Sequence, residues 1–338
     1  MTDQAQADWE RLFQMLNGYM ICQPLFVVAR LGIADLLAAG PRTPSELAES
    51  VKAHAPSLQR VLRTLASLGL FRERDDGRFE LLPMGRLLST DDENSLRGWA
   101  VLRGSPLFWT AWGEILHAVQ TGTSAFDKAF GKPSFDYLAE NPEEARLFDW
   151  AMRSLSQRKF DAVAQHYDFL AVERLVDVGG GDGGMMITIL NAHPGLQGVI
   201  AELPHVVPRA KEQVAAANLT ERCQCVPVNM FESVPEGDCY VMGNVIHDWN
   251  DERAGVILEN CRKAMPKHGR VLLVEFMSTA GNESCLAKLW DMEMLVMTTE
   301  GRERTETEFA NLFASAGLRL HRVHETSTPW SIVEGRAK

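Results

Sequence analysis

The stretch VDVGGGDGG at residues 176–184 follows a predicted strand and precedes a predicted helix. Glycines at such a turn let the backbone approach a ligand where side chains would collide, and the helix that follows offers free N–H groups. The string satisfies both G-x-G-x-x-G and D-x-G-x-G-x-G, so the glycines alone fit a dinucleotide as well as S-adenosylmethionine. Glu202 ends the next predicted strand about 20 residues on, where a carboxylate can accept both ribose hydroxyls of an adenosine. Together these features predict a site for an adenosine-containing cofactor.

From residue 173 onwards, apolar runs alternate with helical patterns. The runs are short and bounded by glycine, proline or charge: RLVDVGG, QGVIAELP, CQCVPVNMF, DCYVMGNVIH and GRVLLVEFM. Strands buried on both faces are typically continuous in this way, and the helices between them make βαβ units of a parallel sheet. LRLHRVHETS and WSIVEG follow each other closely enough to form a hairpin at its edge. The predicted fold class is α/β, with a Rossmann-like, mostly parallel sheet and an antiparallel C-terminal hairpin.

The first hundred residues predict a mainly helical module with one hairpin. Thr43, Pro44 and Glu46 in TPSELAESV form a capping-box helix start. The next helix, SLQRVLRTLASLGLF, carries a leucine stripe, and RERDDGRFELL has an Asp-Gly turn between two short runs. This is the winged-helix order, which suggests DNA binding. Residues 1–100 contain 11 Lys plus Arg against 13 Asp plus Glu, whereas a DNA reader carries a basic stripe, so we expect a scaffold or dimerisation role instead.

Composition narrows the classes of partner. The 338 residues are 46% apolar and 23% charged with a net charge of -11, which indicates a globular protein and disfavours a nucleic-acid substrate. The N-terminus lacks a signal-peptide profile, and PLFVVARLGIADLL is interrupted by Arg30 and Asp35 short of a membrane span. The six cysteines form no CxxC pair and no zinc-type cluster. We therefore expect a cytoplasmic protein whose partner is neither nucleic acid nor membrane.

Three segments follow from these patterns: a winged-helix-like dimerisation domain at 1–100, a helical linker at 101–170, and the cofactor-binding sheet domain at 171–338. The opening helix predicts a homodimer, because its apolar surface exceeds what one small domain covers. That surface consists of Trp9, Leu12, Phe13, Leu16, Tyr19 and Met20.

Further motifs come after the glycine stretch, in the order ELPHVV (202–207), NMF (229–231), HDWNDE (247–252), NCRKAMPKHGRVLLVE (260–275) and GRERTETEF (301–309). In this order they resemble the S-adenosylmethionine-dependent small-molecule O-methyltransferases, of the plant caffeate type and the bacterial aromatic-antibiotic type. That family also has a winged-helix-like dimerisation domain, so the resemblance covers essentially the whole chain. It implies S-adenosylmethionine as cofactor, S-adenosylhomocysteine as product, and a role for 101–170 as a lid over the acceptor pocket.

The resemblance implies that His247 is the general base, flanked by Glu275 and Glu303. A phenol with a pKa near 10 is a poor nucleophile at neutral pH, and an imidazole can take its proton as the methyl group moves. A carboxylate on the other ring nitrogen fixes the tautomer and stabilises the imidazolium. The displacement needs no metal, and we expect none. Without the resemblance, His247 could simply end a strand, and Glu303 would be a solvated residue in a charged run.

The resemblance also implies the cofactor contacts. Gly179 and Gly181 line the methionine end and Glu202 the ribose, while Asn229 and Met230 flank the adenine. Asp177, Leu203 and Phe231 complete the predicted set. The family commonly has Asp where this chain has Asn229, whose side-chain oxygen can still accept from the adenine amine. Gly243 is a second departure, because plant members often carry a Lys there.

The acceptor pocket is expected to be apolar with flat walls, which suits a planar aromatic hydroxyl compound such as a hydroxyphenazine. Its predicted lining consists of Trp109, Phe148, Met152, Trp249, Met292 and Met297. Three alternatives remain open: a family member that methylates nitrogen or carbon or does not methylate, a nicotinamide-dependent dehydrogenase, and a winged-helix regulator.

Overall fold

The computed structural model describes residues 2–338. The helices and strands up to the long central helix are α1 (Asp3–Leu16), α2 (Tyr19–Leu31), α3 (Ile33–Ala38), α4 (Pro44–Val51), α5 (Ala55–Ser67), β1 (Phe71–Glu73), β2 (Phe79–Leu81), α6 (Pro83–Arg86), α7 (Arg97–Arg103), α8 (Pro106–Gly113), α9 (Ile115–Thr121), α10 (Ala125–Phe130), α11 (Ser134–Glu140) and α12 (Pro142–His166). The remainder are β3 (Arg174–Val178), α13 (Gly184–Ala192), β4 (Gln197–Glu202), α14 (Val207–Ala216), β5 (Cys223–Pro227), β6 (Cys239–Gly243), a 3-10 turn (Ile246–Asp248), α15 (Asp251–Ala264), β7 (Arg270–Ser278), α16 (Leu286–Met297), β8 (Arg304–Thr305), α17 (Glu306–Ser315), β9 (Leu318–Glu325) and β10 (Trp330–Ala337).

These elements form two compact units. The N-terminal unit comprises the described residues up to Gly113 together with Phe135–Ser156, and the sheet unit comprises Glu114–Ser134 and Gln157–Lys338. Helix α12 runs from one unit into the other along the chain. The division into 1–100, 101–170 and 171–338 concerns the roles of these segments and stays a prediction.

The N-terminal unit contains the predicted helix pair and hairpin. The Thr43 hydroxyl accepts from the Glu46 amide at 3.2 Å, and the Thr43 amide donates to the Glu46 carboxylate at 2.7 Å, which confirms the capping box. Helix α5 buries its leucine stripe, and β1 pairs antiparallel with β2. The stripe and the hairpin share one core, because a leucine every third or fourth residue presents a single apolar face. That core includes Leu47, Leu58, Leu62, Leu65, Phe71 and Phe79.

Helix α1 and the start of α2 present apolar side chains to the outside. No residue of α1 is buried, and the exposed large apolar residues there are Trp9, Leu12, Phe13, Met15, Leu16, Tyr19, Met20 and Ile21. By length and composition alone, the stretch Asp3–Leu31 also meets the criterion for a membrane-spanning helix. The expectation of no membrane partner rests on the run that begins at Pro24 and does not include the residues before it.

The sheet unit has the predicted α/β architecture. Its strands lie in the order β5-β4-β3-β6-β7-β10-β9, and β8 pairs with the end of β7. The first five of these pair in parallel, and β10 and β9 form the predicted antiparallel hairpin at the edge. The chain moves outward from β3 to β4 and β5 and then returns to β6. The order therefore reverses beside β3, and open α/β sheets bind ligands in the crevice that such a reversal leaves at the carboxyl ends of the strands.

Candidate active site

The glycine-rich loop joins the end of β3 to the start of α13. Gly179, Gly181 and Gly183 have positive φ values of 71°, 58° and 88°, a region that residues with a Cβ rarely adopt. A Cβ at Gly183 would lie 2.6 Å from the Ile200 side chain, whereas one at Gly181 would meet nothing within 4 Å. The loop is therefore packed tightly underneath and open above Gly181, as a ligand cradle must be.

Glu202 ties this loop to the end of β4. One carboxylate oxygen accepts from the Gly181 amide at 3.0 Å, and the other accepts from the Leu203 amide at 2.7 Å. Each oxygen retains a second lone pair for a ribose hydroxyl. The structure thus brings Gly181, Glu202 and Leu203 together, and their predicted roles toward a cofactor stay a prediction.

Asp177 lies underneath the loop and not at its open face. Its side chain is fully buried, neither oxygen has a hydrogen-bond partner, and a Cβ on Gly180 would lie 2.8 Å from its carboxyl carbon. Burial, reinforced by the Glu202 charge and only partly opposed by Lys159, raises the pKa of Asp177 to about 7. The predicted contact between Asp177 and a cofactor stays a prediction.

Asn229 uses its side chain within its own turn. Its oxygen accepts from the Phe231 amide at 3.1 Å, and its amide group donates to Glu232 at 2.9 Å. One lone pair of the oxygen remains for an adenine amine. The Met230 carbonyl accepts from Asn260 at 2.9 Å, which fixes the same turn from below.

Two aromatic residues from different motifs meet beside this turn. The Phe231 and Trp249 rings are edge to face with centroids 4.8 Å apart. The Arg253 guanidinium lies 4.4 Å from the Phe231 centroid and 4.1 Å from the Trp249 centroid. The guanidinium over both rings holds them in one orientation. The NMF and HDWNDE motifs therefore share one continuous aromatic surface.

The three predicted catalytic residues converge from three elements: Glu275 lies within β7, His247 in the 3-10 turn after β6, and Glu303 directly before β8. His247 Nδ1 donates to Glu303 Oε1 at 2.8 Å and lies 3.7 Å from Glu275 Oε2. The other Glu275 oxygen accepts from the Val245 and Ile246 amides at 3.2 and 3.0 Å. Glu303 therefore orients the ring, and Glu275 also holds the backbone of the turn that carries it.

Electrostatics in this cluster favour a protonated imidazole. Burial lowers the pKa of His247, but the carboxylates of Glu275, Asp248 and Glu303 outweigh it and raise the pKa to about 10. Burial raises the pKa of Glu275 to about 7, with Glu303 adding to the rise and His247 opposing it. The cluster thus makes His247 a stronger base than a free imidazole.

The same cluster has the donor types of a metal site. The ligand atoms of His247, Glu275 and Glu303 lie within 4.8 Å of one another, and no other such group occurs among residues 2–338. A cation would have to displace the proton that His247 Nδ1 shares with Glu303.

Lys159 is a site residue that the sequence did not indicate. Its ammonium is buried, donates to the Asn244 side-chain oxygen at 2.7 Å, and would lie 3.5 Å from a Cβ on Gly243. Burial lowers its pKa to about 8, with the Glu275 and Asp177 charges opposing the change. The cation beside Gly243 therefore comes from α12, a connection that no local motif reveals.

The predicted acceptor-pocket residues divide between the units. Trp249, Met292 and Met297 belong to the sheet unit, where Met292 is 36% exposed and Met297 is buried. Trp109, Phe148 and Met152 belong to the N-terminal unit, where Trp109 is exposed and Phe148 packs edge to face against Phe135. A shared role for all six stays a prediction.

Residues 112–319 match the O-methyltransferase domain family, and residues 13–91 match the O-methyltransferase dimerisation domain. The first match alone spans more than half of the chain. The chain belongs to the O-methyltransferase family. The two matched regions confirm the resemblance and the fold class drawn from the motifs.

Similar proteins agree with this assignment. The O-methyltransferase is 42% identical to a phenazine O-methyltransferase, PhzM, of Lysobacter antibioticus, over 96% of this chain and 95% of that one. It is 34% identical to an 8-amino-8-demethylriboflavin N,N-dimethyltransferase of Streptomyces davaonensis, over 97% and 95%. The crystal structure of CalO1, a methyltransferase in calicheamicin biosynthesis with S-adenosylhomocysteine bound, superposes with a TM-score of 0.90 at 36% identity and covers both chains completely.

Proposed function

We propose that this O-methyltransferase methylates the hydroxyl of a planar aromatic compound of the phenazine type, with His247 as general base. The observation that carries the proposal is the buried His247–Glu303 hydrogen bond of 2.8 Å at the carboxyl ends of the strands. The 42% identity to a phenazine O-methyltransferase supports the choice of acceptor class. We further propose that the working protein is a cytoplasmic homodimer, consistent with six free cysteines and the matched dimerisation domain.

The residues present fit S-adenosylmethionine. The open space above Gly181 leaves room for the methionine end, and the free lone pairs of Glu202 suit two ribose hydroxyls. Asn229, Met230 and Leu203 would surround the adenine. When bound, this cofactor supplies a methyl group on a positively charged sulfur.

The chain's own residues supply the proton transfer. His247 Nε2 accepts the proton of the acceptor hydroxyl, while the Nδ1 proton stays hydrogen-bonded to Glu303 and the carboxylates stabilise the resulting imidazolium. Because the pKa of His247 is raised to about 10, the free enzyme holds the imidazole protonated at neutral pH. A cation held beside the ring would lower that pKa and so raise the fraction of His247 in the base form. The remaining rate acceleration comes from in-line alignment of the reacting atoms and from exclusion of water.

A nitrogen acceptor is the second candidate. One relative with 34% identity over 97% of the chain is an N,N-dimethyltransferase. An aromatic amine also loses a proton during methylation, so His247 could serve either acceptor. The hydroxyl is favoured because the raised pKa of His247 is close to that of a phenol, which allows efficient proton transfer.

Substitution of His247 tests the base assignment. His247→Ala should lower kcat about 10²-fold or more and leave the dissociation constant of S-adenosylhomocysteine, measured by calorimetry, within about 2-fold, since no cofactor contact is removed. His193→Ala is the matched control, because that ring bonds the Ala164 carbonyl and packs against Phe169, away from the cluster. Wild-type turnover of the true acceptor by His247→Ala would overturn the assignment.

A further inference from the structure

Arg304 is the first residue of β8 and follows Glu303 directly. Its side chain is completely buried. The guanidinium donates to the Ile246 carbonyl at 3.0 Å, to the Trp249 carbonyl at 2.7 Å, and through two nitrogens to Asp251 at 2.9 and 2.8 Å. Ile246 and Trp249 lie on either side of His247 in the chain. One planar side chain thus grips both ends of the turn that carries the base.

The backbone strengthens the same junction. The Arg302 amide donates to the His247 carbonyl at 2.8 Å, and the Glu303 amide donates to Asp291 at 2.8 Å. A Cβ at Gly301 would lie 2.7 Å from the His247 carbonyl oxygen, so only glycine permits this approach. The 301–304 segment is therefore held against the His247 turn at several consecutive residues.

We propose that Arg304 is a positioning residue that sets the distance between the His247 ring and the Glu303 carboxylate. The inference rests on the proposed role of His247 as base. Glu303 is linked covalently to Arg304, and the two ends of the His247 turn are hydrogen-bonded to it, so a movement of the guanidinium changes both partners of the hydrogen bond together.

The cost of burying a guanidinium supports a specific role. A buried charge stabilises a fold only weakly and is costly unless every donor is satisfied. Among residues 2–338, the carboxylate that pairs with Arg304 is that of Asp251, whose side chain is 59% exposed. Lysine could not replace the bridge, because its single ammonium lacks the planar fork that reaches three separate acceptors.

Arg302 offers a matched control two residues away. Its guanidinium pairs with Asp251 and Glu308 and is 40% exposed. Exposed ion pairs contribute about 1 kcal/mol or less. Removal of this charge leaves the grip on Ile246 and Trp249 intact.

The experiment compares Arg304→Lys, Arg304→Gln and Arg302→Gln in the full-length enzyme. Turnover is expressed per S-adenosylhomocysteine site, counted by calorimetry, so that unfolded protein is not scored. Arg304→Lys should lower kcat about 10-fold to 10²-fold, the scale of a 1 Å misplacement, with KM and the dissociation constant within about 2-fold. The rising limb of its pH–rate profile should move to lower pH, because a weakened Glu303 contact lowers the pKa of His247. Arg302→Gln should match the wild type.

Two outcomes separate this inference from the proposed function. If Arg304→Lys keeps the wild-type kcat and an unmoved pH limb while His247→Ala is inactive, only the role of Arg304 is overturned. An active His247→Ala would instead overturn the base. If both Arg304 variants fail to bind S-adenosylhomocysteine, Asp251→Asn serves in their place. This substitution removes the charge that pairs with the guanidinium, at an exposed position. An unchanged kcat and an unchanged pH limb in that variant would contradict the proposal.

Discussion

At the scale of single residues, the chemistry depends on how far carboxylates shift one imidazole. His247 has its pKa raised to about 10 because Glu275, Asp248 and Glu303 outweigh burial. Removal of one of these charges must lower that pKa. In Glu303→Gln the rising limb of kcat/KM against pH should therefore move to lower pH, while the plateau falls by about 10²-fold because the ring loses its orienting partner.

This prediction distinguishes ionisation of the enzyme from ionisation of the acceptor. A phenol also ionises near pH 10, but its own limb would stay in place in Glu303→Gln. Steady-state kinetics between pH 6 and 10.5 with one acceptor measure both limbs. A limb at the same pH in the two enzymes would show that the acceptor and not His247 titrates.

The role of a site residue could be predicted from the sequence where its neighbours form a recognisable strand or motif. Glu202 ends β4, and His247 follows β6 in the 3-10 turn, so their position at the ligand-binding edge follows from the chain pattern. Glu303 sits among charges in GRERTE and reads as solvated, yet its carboxylate is fully buried. Lys159 and Arg304 were missed because their partners are distant in sequence or are backbone carbonyls, which carry no sequence signal.

At the scale of elements, the loop after β3 depends on glycine at one position more than at others. Gly183 has a φ of 88°, and a Cβ at this position would lie 2.6 Å from the Ile200 side chain. Gly183→Ala should destabilise the protein by at least about 1 kcal/mol and weaken S-adenosylhomocysteine binding, read by thermal unfolding with and without the ligand.

Gly195→Ala is the matched control for this loop. Its Cβ would meet nothing within 4 Å, and the residue precedes β4 outside the cradle. Equal effects of the two substitutions on ligand affinity would show that the loop conformation does not shape the cofactor site.

Elements themselves were predicted well where periodicity was strong. The runs of the sheet, the capping box at Thr43 and the two hairpins all occur. The insertion of β10 between β7 and β9 could not be derived, because strand order depends on contacts between distant segments. No local pattern indicates that β8 pairs with the end of β7, a pairing that carries Glu303 to the site.

At the scale of the whole molecule, the exposed apolar face of α1 and α2 requires an occupant. The matched dimerisation domain at 13–91 favours a second copy of the chain, although Asp3–Leu31 also has the length and composition of a membrane span. Leu12→Glu with Phe13→Glu should therefore convert a dimer to a monomer, because two charges cannot be buried without partners. Light scattering after size exclusion measures the mass.

Leu170→Glu controls for the effect of an added surface charge, since that side chain is 92% exposed and lies in the sheet unit. It should leave the dimer mass unchanged. A wild-type protein that is monomeric and sediments with lipid vesicles would contradict the homodimer and favour a membrane partner for this face.

The central claim is methyl transfer to an aromatic oxygen with His247 as the base. Mass spectrometry of products made from S-adenosylmethionine with a trideuterated methyl group tests it most directly, using hydroxyphenazine, aminophenazine and unsubstituted phenazine as a matched panel. We predict one labelled methyl on the oxygen of the hydroxyl compound, and its loss with His247→Ala. Label on nitrogen or carbon, or equal product from the two enzymes, would contradict the account.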